Sequence, residues 1–418
     1  MNCRTLKDIE MRGKRVIVRV DFNVPLDSKS KITDETRILK TLPTIQYLVK
    51  QKARVILMSH LGRPKGKQDS ELSLKPVADR LSKLLKQPVK FIPDCIGEKV
   101  KTLITSLKDG EVALLENLRF YREEEKNDPG FSKSLASLAE IYVNDAFGAA
   151  HRAHASTAGI AQFLPSAAGL LLAKEIEYFD RVLGNPERPF VAILGGAKVV
   201  DKIKVIENLM AKVDYLLIGG AMAYTFLKAR GHKIGSSKFD FEGFETAKQV
   251  LEKAKQTKVQ FLLPVDHLIA ETVTENAKVD TAEIDIPEGW IGVDIGPKTT
   301  ERFQAVIAKA KTIIWNGPLG VFEIKKFSNG TRQIAESLAR LKNATTVIGG
   351  GETAAAITEL GLESKMSHVS TGGGASLEYL EGRVLPGIAA LENKGDKIKE
   401  DKSGKSKLTE ANKQKVSQ

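Results

Sequence analysis

Cysteine is nearly missing from this chain: Cys3 and Cys95 are the only two in 418 residues. Two thiols make neither a disulfide framework nor a zinc-type spacing, so the fold must rest on a buried core, as expected in a reducing compartment. Long hydrophobic runs are missing too. No apolar stretch approaches the roughly 18 residues that a membrane-spanning helix requires, and no membrane partner is expected. The opening residues, MNCRTLKDIEMRGKRV, lack the apolar core of a secretory signal, so a cytoplasmic location is the expectation. A Walker A loop is absent, because Gly404-Lys405-Ser406 lacks the upstream glycine, and so is the glycine-rich loop of protein kinases.

What the chain does have is excess positive charge, formally +12. That favours anionic partners, whether nucleic acid or small phosphorylated molecules. Part of the excess sits in a lysine-rich tail, 395–418, where seven lysines face four acids. Its near lack of apolar residues predicts a solvated, mobile extension. No nucleic-acid module is recognisable, and the other basic residues of interest fall in loops, so small phosphorylated ligands are the better reading.

At 418 residues the chain exceeds what one hydrophobic core usually holds, so two domains are expected. Short β-branched runs ending in polar loops recur along it: KRVIVRVDFNV, ARVILMSHLGR, EVALLENLRF and EIYVNDAFGAAHRAH, then PFVAILGGAK, DYLLIGGAM, VQFLLPVD, TIIWNGPLG and ATTVIGGGET. Continuous apolar strands alternating with helical patterns predict an α/β protein with parallel sheets buried on both faces. In such sheets ligands gather at the carboxyl ends of the strands. The proline-bounded stretch Pro165 to Pro189 reads as an inter-domain connector.

The strand ends differ between the halves. Those of the first half carry Asp21, Asn23, His60, Arg63, Asn117, Arg119, Asp145, His151, Arg152 and His154, with Arg37 nearby. Arginine forks bind phosphate and carboxylate oxygens in pairs, so this half is built to grip a small anion. The histidines show no metal-ligand spacing. Those of the second half carry glycine, which lets backbone approach a nucleotide. Lys198 and Lys202, four apart in GGAKVVDKI, read as the start of a helix with both side chains on one face. Residues 349–354, GGGETA, fit a dinucleotide fingerprint, but no acid ends the next strand, which disfavours a nicotinamide enzyme. Glu352 places a carboxylate in this phosphate-binding loop. It either holds Mg²⁺ against the phosphates or stabilises a helix N-terminus. Glu323 is a second acid nearby, suited to a ribose hydroxyl.

Taken in order, VDFNVP, SHLGRP, LLENLRFYREEEKND, VNDAFGAAHRAHAST, LGGAKVVDKI, GWIGVDIGP, WNGPLGVFE, GGGETAAA and STGGGASLEYLEG closely resemble the phosphoglycerate kinase family over roughly residues 4–393. The resemblance implies two Rossmann-like doubly wound parallel-sheet domains with a cleft between them. Residues 1–166 would bind phosphoglycerate, 167–184 form the connector helix and hinge, and 185–376 bind nucleotide. Residues 377–394 would return to the first domain. The implied activity is reversible, Mg²⁺-dependent phosphoryl transfer between 1,3-bisphosphoglycerate and ADP, giving 3-phosphoglycerate and ATP in glycolysis or gluconeogenesis, by a monomer.

By position, the resemblance gives the 3-phosphate to Arg63, Arg119 and Arg152. The hydroxyl and carboxyl end falls to Asp21, Asn23 and His60, with Phe22, Leu61 and Gly62 beside them. Arg37, Lys198, Gly373 and Gly374 would face the moving phosphoryl group. Gly196, Ala197, Lys198, Lys202, Gly350, Gly351, Glu352 and Thr353 would bind the nucleotide phosphates. Gly220, Ala221, Gly292 and Val293 would line the adenine pocket, and Asn316, Pro318 and Glu323 would lie near phosphates and ribose. Many family members carry Asp where Glu352 stands, and many end before the lysine-rich tail.

Overall fold

The computed structural model describes residues 3–392. The expected lysine-rich tail, 395–418, and the last two residues of the expected returning segment lie outside the described residues.

The first lobe contains β1 (Arg15–Arg19), β2 (Arg54–Met58), β3 (Val89–Ile92), β4 (Val112–Leu115), β5 (Ile141–Asn144) and β6 (Ser166–Ala168). They form one all-parallel sheet in the order β3-β4-β2-β1-β5-β6. Val16, Ile17 and Val18 have no exposed surface. A run without alternation survives here because helices cover both faces of the sheet, and each such side chain contributes about 1.5–3 kcal/mol of burial.

The second lobe starts with β7 (Phe190–Leu194), β8 (Tyr215–Ile218) and β9 (Gln260–Leu262). The chain then leaves the sheet for β10 (Asp266–Ala270), β11 (Val279–Glu283) and β12 (Ile291–Ile295), and returns with β13 (Thr312–Asn316), β14 (Thr345–Gly349) and β15 (His368–Val369). The main sheet is again six parallel strands, ordered β15-β14-β13-β7-β8-β9. The strands β11-β10-β12 make a small antiparallel sheet. The parallel reading of the sequence did not foresee it. VDTAE in β11 is largely exposed, so it lacks the continuous apolar signature that marks a doubly covered strand.

Both sheets are doubly wound. Strand order reverses between β1 and β5 in the first and between β7 and β13 in the second. Ligands of open α/β sheets bind at such switch points, outside the carboxyl ends of the strands. The fold therefore prepares two sites, one per lobe.

The helix Leu170–Gly184 joins the lobes. Its fully buried Glu175 accepts from the Thr371 N–H at 2.8 Å and the Thr371 hydroxyl at 3.0 Å, and its other oxygen meets His368 Nε2 at 2.7 Å. Phe179 of this helix stacks with Phe147 of the first lobe and packs on Tyr379, centroids 5.6 and 5.4 Å apart. After β15 the chain runs back to the first lobe, where the Asn144 amide donates to the Gly387 carbonyl at 3.1 Å and Cys3 bridges Glu392. Among the described residues no helix is long and apolar enough to cross a membrane.

Candidate active site

In the first lobe the loops after β1, β2, β4 and β5 converge on a cavity of about 300 Å³. Asp21, Asn23, Arg37, His60, Gly62, Arg63, Arg119 and Arg152 line it together with Gly148, Ala149 and His151. Gly372, Gly373 and Gly374 complete the wall from the second lobe. Other cavities are as large or larger, including one of about 540 Å³ beside Lys40 and Lys174, but this one gathers four arginines. Convergent cationic forks, not volume, mark it as an anion site.

The polar groups of this wall are already organised. Asn23 Oδ1 accepts from the Gly62 N–H at 2.9 Å, which locks the β1 loop to the β2 loop. Arg37 donates to Asp21 at 2.6 Å. It belongs to the first turn of the helix Thr36–Lys50, so it reaches the site from a helix rather than from a strand-end loop. Arg119 donates to the Gly62 carbonyl at 2.8 Å and lies 3.2 Å from the Glu125 carboxylate. Arg152 donates to His151 at 3.1 Å, while Arg63 is exposed. Phe22 and Leu61 keep their side chains in the core, which leaves only their backbone for a ligand.

Behind the cavity, Arg19 of β1 is almost fully buried and sits between Met58 of β2 and Asn144 of β5. Its Nε donates to Ser156 Oγ at 2.8 Å and its second amino group contacts His60 Nδ1 at 3.0 Å. The fully buried Glu124 accepts from the Ser156 hydroxyl at 2.6 Å and from its N–H at 3.0 Å. Burial, then the Arg19, Arg119 and Arg37 cations, hold the His60 imidazole well below its usual range, so it is neutral. Arg19 and Glu124 were not among the expected site residues. The available signal was one charge inside the apolar run RVIVRV, since a charge fully covered in a sheet must be paired.

The second site lies at the switch between β7 and β13. Backbones pack so closely that a Cβ on Gly195 would fall 2.0 Å from the Pro318 carbonyl, so only glycine fits there. The Gly196 N–H donates to Pro318 and the Gly220 N–H to Leu319. The Pro318–Val321 turn continues to β12, where the Val321 N–H donates to the Val293 carbonyl at 2.8 Å. Gly292 donates to Ser237 at 2.9 Å. Gly196, Gly220, Ala221, Gly292, Val293 and Pro318 thus belong to one connected wall, with Ala197 partly exposed and Glu323 exposed.

At the end of β14, Gly350 adopts φ +88 and the helix Gly351–Glu359 follows. Ala354 is the first to donate back, to Gly350, so the N–H groups of Gly351, Glu352 and Thr353 have no intrahelical acceptor. Thr353 is buried, and its hydroxyl accepts from the Gly317 N–H at 2.6 Å. Asn316 Nδ2 is buried without a partner, and a Cβ on Gly350 would come within 2.9 Å of it. That orphan donor and the free helix N–H groups suit phosphate oxygens.

Lys198 and Lys202 do not share a helix face, contrary to the sequence expectation. A short 3-10 turn covers Val200–Lys202 and the α-helix begins only at Ile203, because the Gly195–Gly196 turn first carries the chain across the strand ends. Lys198 is exposed. The Lys202 ammonium turns inward and donates to Gly195 O at 2.6 Å, Asn316 Oδ1 at 2.7 Å and Asn316 O at 3.1 Å. Burial lowers it to about 8, partly opposed by the Glu352 carboxylate. Among the described residues no group of three His, Cys, Asp or Glu side chains could hold a metal ion. One exposed carboxylate beside free N–H groups fits a Mg²⁺ ion that arrives on the nucleotide's phosphates as part of the substrate.

The model of the phosphoglycerate kinase family matches residues 6–383. The chain belongs to the phosphoglycerate kinase family. A phosphoglycerate kinase of Dictyoglomus turgidum is 59% identical over 390 residues, covering 93% of this chain and 98% of the relative. One from Thermosipho africanus is 56% identical, again over 93% and 98%. Among solved structures, the phosphoglycerate kinase of Coxiella burnetii superposes with a TM-score of 0.85 at 44% identity, covering 93% of this chain and 98% of that one. That of Pyrococcus horikoshii gives 0.79 at 34%, with the same coverage. Membership assigns the reaction: reversible phosphoryl transfer between 1,3-bisphosphoglycerate and ADP, with a carboxyl group as acceptor in the reverse direction and Mg-ATP/Mg-ADP as the nucleotide pair. Phosphoglycerate kinases carry out this glycolytic step as monomers on small-molecule substrates.

Proposed function

We propose that the arginine-lined cavity binds the phosphoglycerate and the β7–β13 cradle binds the nucleotide, each residue acting as its position suggests. The observation that carries this is the convergence of Arg37, Arg63, Arg119, Arg152, His60, Asp21 and Asn23 on one cavity closed by Gly372–Gly374. Arg63, Arg119 and Arg152 pair with the 3-phosphate. Asp21, Asn23 and His60, with backbone from Phe22, Leu61 and Gly62, hold the hydroxyl and carboxyl end. Gly220, Ala221, Gly292 and Val293 face the adenine, and Asn316, Pro318 and Glu323 the ribose and phosphates. Gly196, Ala197, Lys198, Lys202, Gly350, Gly351 and Thr353 surround the phosphates, and Glu352 meets the Mg²⁺ they carry.

Phosphoryl transfer asks the protein for alignment and charge stabilisation more than for covalent chemistry. The carboxylate of 3-phosphoglycerate is itself the nucleophile, so transfer is direct and in line. Arg37 leaves Asp21 to neutralise the phosphoryl group in flight, helped by Lys198 and the backbone N–H groups of Gly373 and Gly374. Because the two sites stand on different sheets, closure about residues 167–184 precedes transfer and excludes water from the acyl phosphate. In this reading 1–166 and 185–376 are the two moving bodies, 377–394 anchors to the first, and the enzyme works in the cytoplasm.

Arg37→Ala should lower turnover 10²–10³-fold, the scale of losing one transition-state donor, with little change in KM for 3-phosphoglycerate. Arg63→Ala should raise that KM about tenfold with turnover nearly kept. Steady-state kinetics of both variants check the split, and equal turnover losses would contradict it.

A further inference from the structure

The two nitrogens of His60 face different surroundings. Nδ1 meets the Arg19 guanidinium at 3.0 Å, and the ring otherwise lines the anion cavity. A guanidinium carries five N–H donors and no acceptor. A hydrogen bond from it is possible only if Nδ1 presents a lone pair. We infer that Arg19 is a positioning residue that fixes His60 in the tautomer protonated at Nε2, so that a neutral N–H, not an imidazolium, is aimed at the acceptor's carboxyl end.

Arg19 is suited to this because buried hydrogen bonds hold its guanidinium in place. Its Nε is bonded to Ser156, another amino group to the Val20 carbonyl, and Ser156 to Glu124, all of them buried. The Tyr142 hydroxyl in turn holds the Ser156 carbonyl at 2.9 Å. Glu124 supplies the counter-charge that lets Arg19 stay in a sheet interior, and His154 lies 3.6 Å from the same carboxylate oxygen. The chain Glu124–Ser156–Arg19–His60 therefore runs from the core to the cavity wall. The other charged groups around His60 are Arg37 from the helix Thr36–Lys50, which is paired with Asp21, and Arg119 from the loop after β4.

The chemical consequence concerns the nucleophile. In the direction of ATP consumption a carboxylate oxygen attacks the γ-phosphoryl group, and protonating that oxygen would remove its lone pair. An imidazolium beside it is an acid able to do so. A neutral imidazole N–H orients the same oxygen while keeping its own proton. Positive charge is then left to arginines, which cannot transfer a proton.

This inference rests on the reading that His60 lies at the acceptor, and the test separates the two. The full-length enzyme is labelled with ¹⁵N-histidine, and its six histidines are surveyed by long-range ¹H–¹⁵N correlation, with His60→Gln identifying the His60 signals. The expected pattern is a pyridine-type Nδ1 and a pyrrole-type Nε2 at neutral pH. A protonated Nδ1, or a charged ring, overturns the inference with no variant needed. Arg19→Gln offers a side chain that can either donate or accept. It should mix the tautomers and raise KM for 3-phosphoglycerate about tenfold, the effect of one charge-assisted hydrogen bond, while KM for ATP stays put. Should that variant fail to fold, Ser156→Ala removes the Arg19 anchor and should shift the same signals. A folded variant with the wild-type nitrogen pattern overturns Arg19's role. If His60→Gln leaves KM for 3-phosphoglycerate unchanged while the wild-type pattern is as expected, it is the placement of His60 at the acceptor that fails.

Discussion

Lys202 has three N–H donors, and the protein takes all of them, through Gly195 and both oxygens of Asn316. Its lowered value, about 8 against the ordinary 10.5, means the unfolded chain binds more protons between those two values. Folding stability therefore gains from this group as pH rises across that window. A nucleotide polyphosphate reverses the balance, because added negative charge restores the ammonium. Binding of ADP near pH 9 should thus take up a proton, and Lys202→Met should abolish the uptake. Calorimetry in two buffers of different ionisation enthalpy reads this directly, and no uptake would mean that Lys202 stays with Gly195 and Asn316 in the complex. The sequence suggested Lys202 as a cation for a phosphate but not its direction. That depends on the nearby Gly195 carbonyl together with the Asn316 oxygens at the end of β13, more than a hundred residues away.

At the scale of elements, the connector helix is capped by residues outside itself. Gly169 precedes it and offers no side chain, so Asp145 at the end of β5 accepts from the Leu171 and Leu172 N–H groups at 2.9 and 3.2 Å. Thr44 accepts from Leu170 at 3.0 Å. A Cβ on Gly169 would meet Asp145 at 2.1 Å, so the glycine makes room for the cap. In the sequence Asp145 stood with His151 and Arg152 as a strand-end residue of the anion site. It is instead fully buried and turned toward the helix, and it does not line the anion cavity. Periodicity locates a helix and its glycine boundary but not a cap that comes from another strand. Asp145→Ala should cost about 1–3 kcal/mol in urea unfolding, the scale of a broken buried cap. Burial raises the Asp145 carboxyl to about 7, above its unfolded value, so the native state binds more protons between about 4 and 7 and stability falls as pH rises through that range. Asp145→Asn should flatten that slope, and urea titrations at a series of pH values would show it.

At the scale of the whole molecule, one apolar cluster runs from Phe147 of the first lobe through Leu172 and Phe179 of the connector to Phe190 and Leu194 of the second. Lys40 pairs with Glu363 at the surface, a contact worth at most about 1 kcal/mol. Glu175 ties the connector to Thr371, the residue next to the Gly372–Gly374 wall. Two ligands that bind the closed arrangement better than the open one would shift the lobes toward it. Small-angle scattering should show a smaller radius of gyration with 3-phosphoglycerate and Mg-ADP together than with either alone. An unchanged radius with both would remove closure from the mechanism.

The order of apolar runs was enough to determine two parallel α/β lobes, and the glycines and arginines pointed to an anion-gripping half and a nucleotide-cradling half. Those features are local, set by β-branched residues buried on both faces, by glycine's small volume and by arginine's permanent charge. The tertiary structure alone decided which way each charge points. It turned Lys202 inward, gave Asp145 to the connector helix, put a buried Arg19 behind His60 and added the antiparallel sheet around β10. Each of these depends on groups far apart in the chain, and burial favours arrangements that pair most of the polar atoms it removes from water.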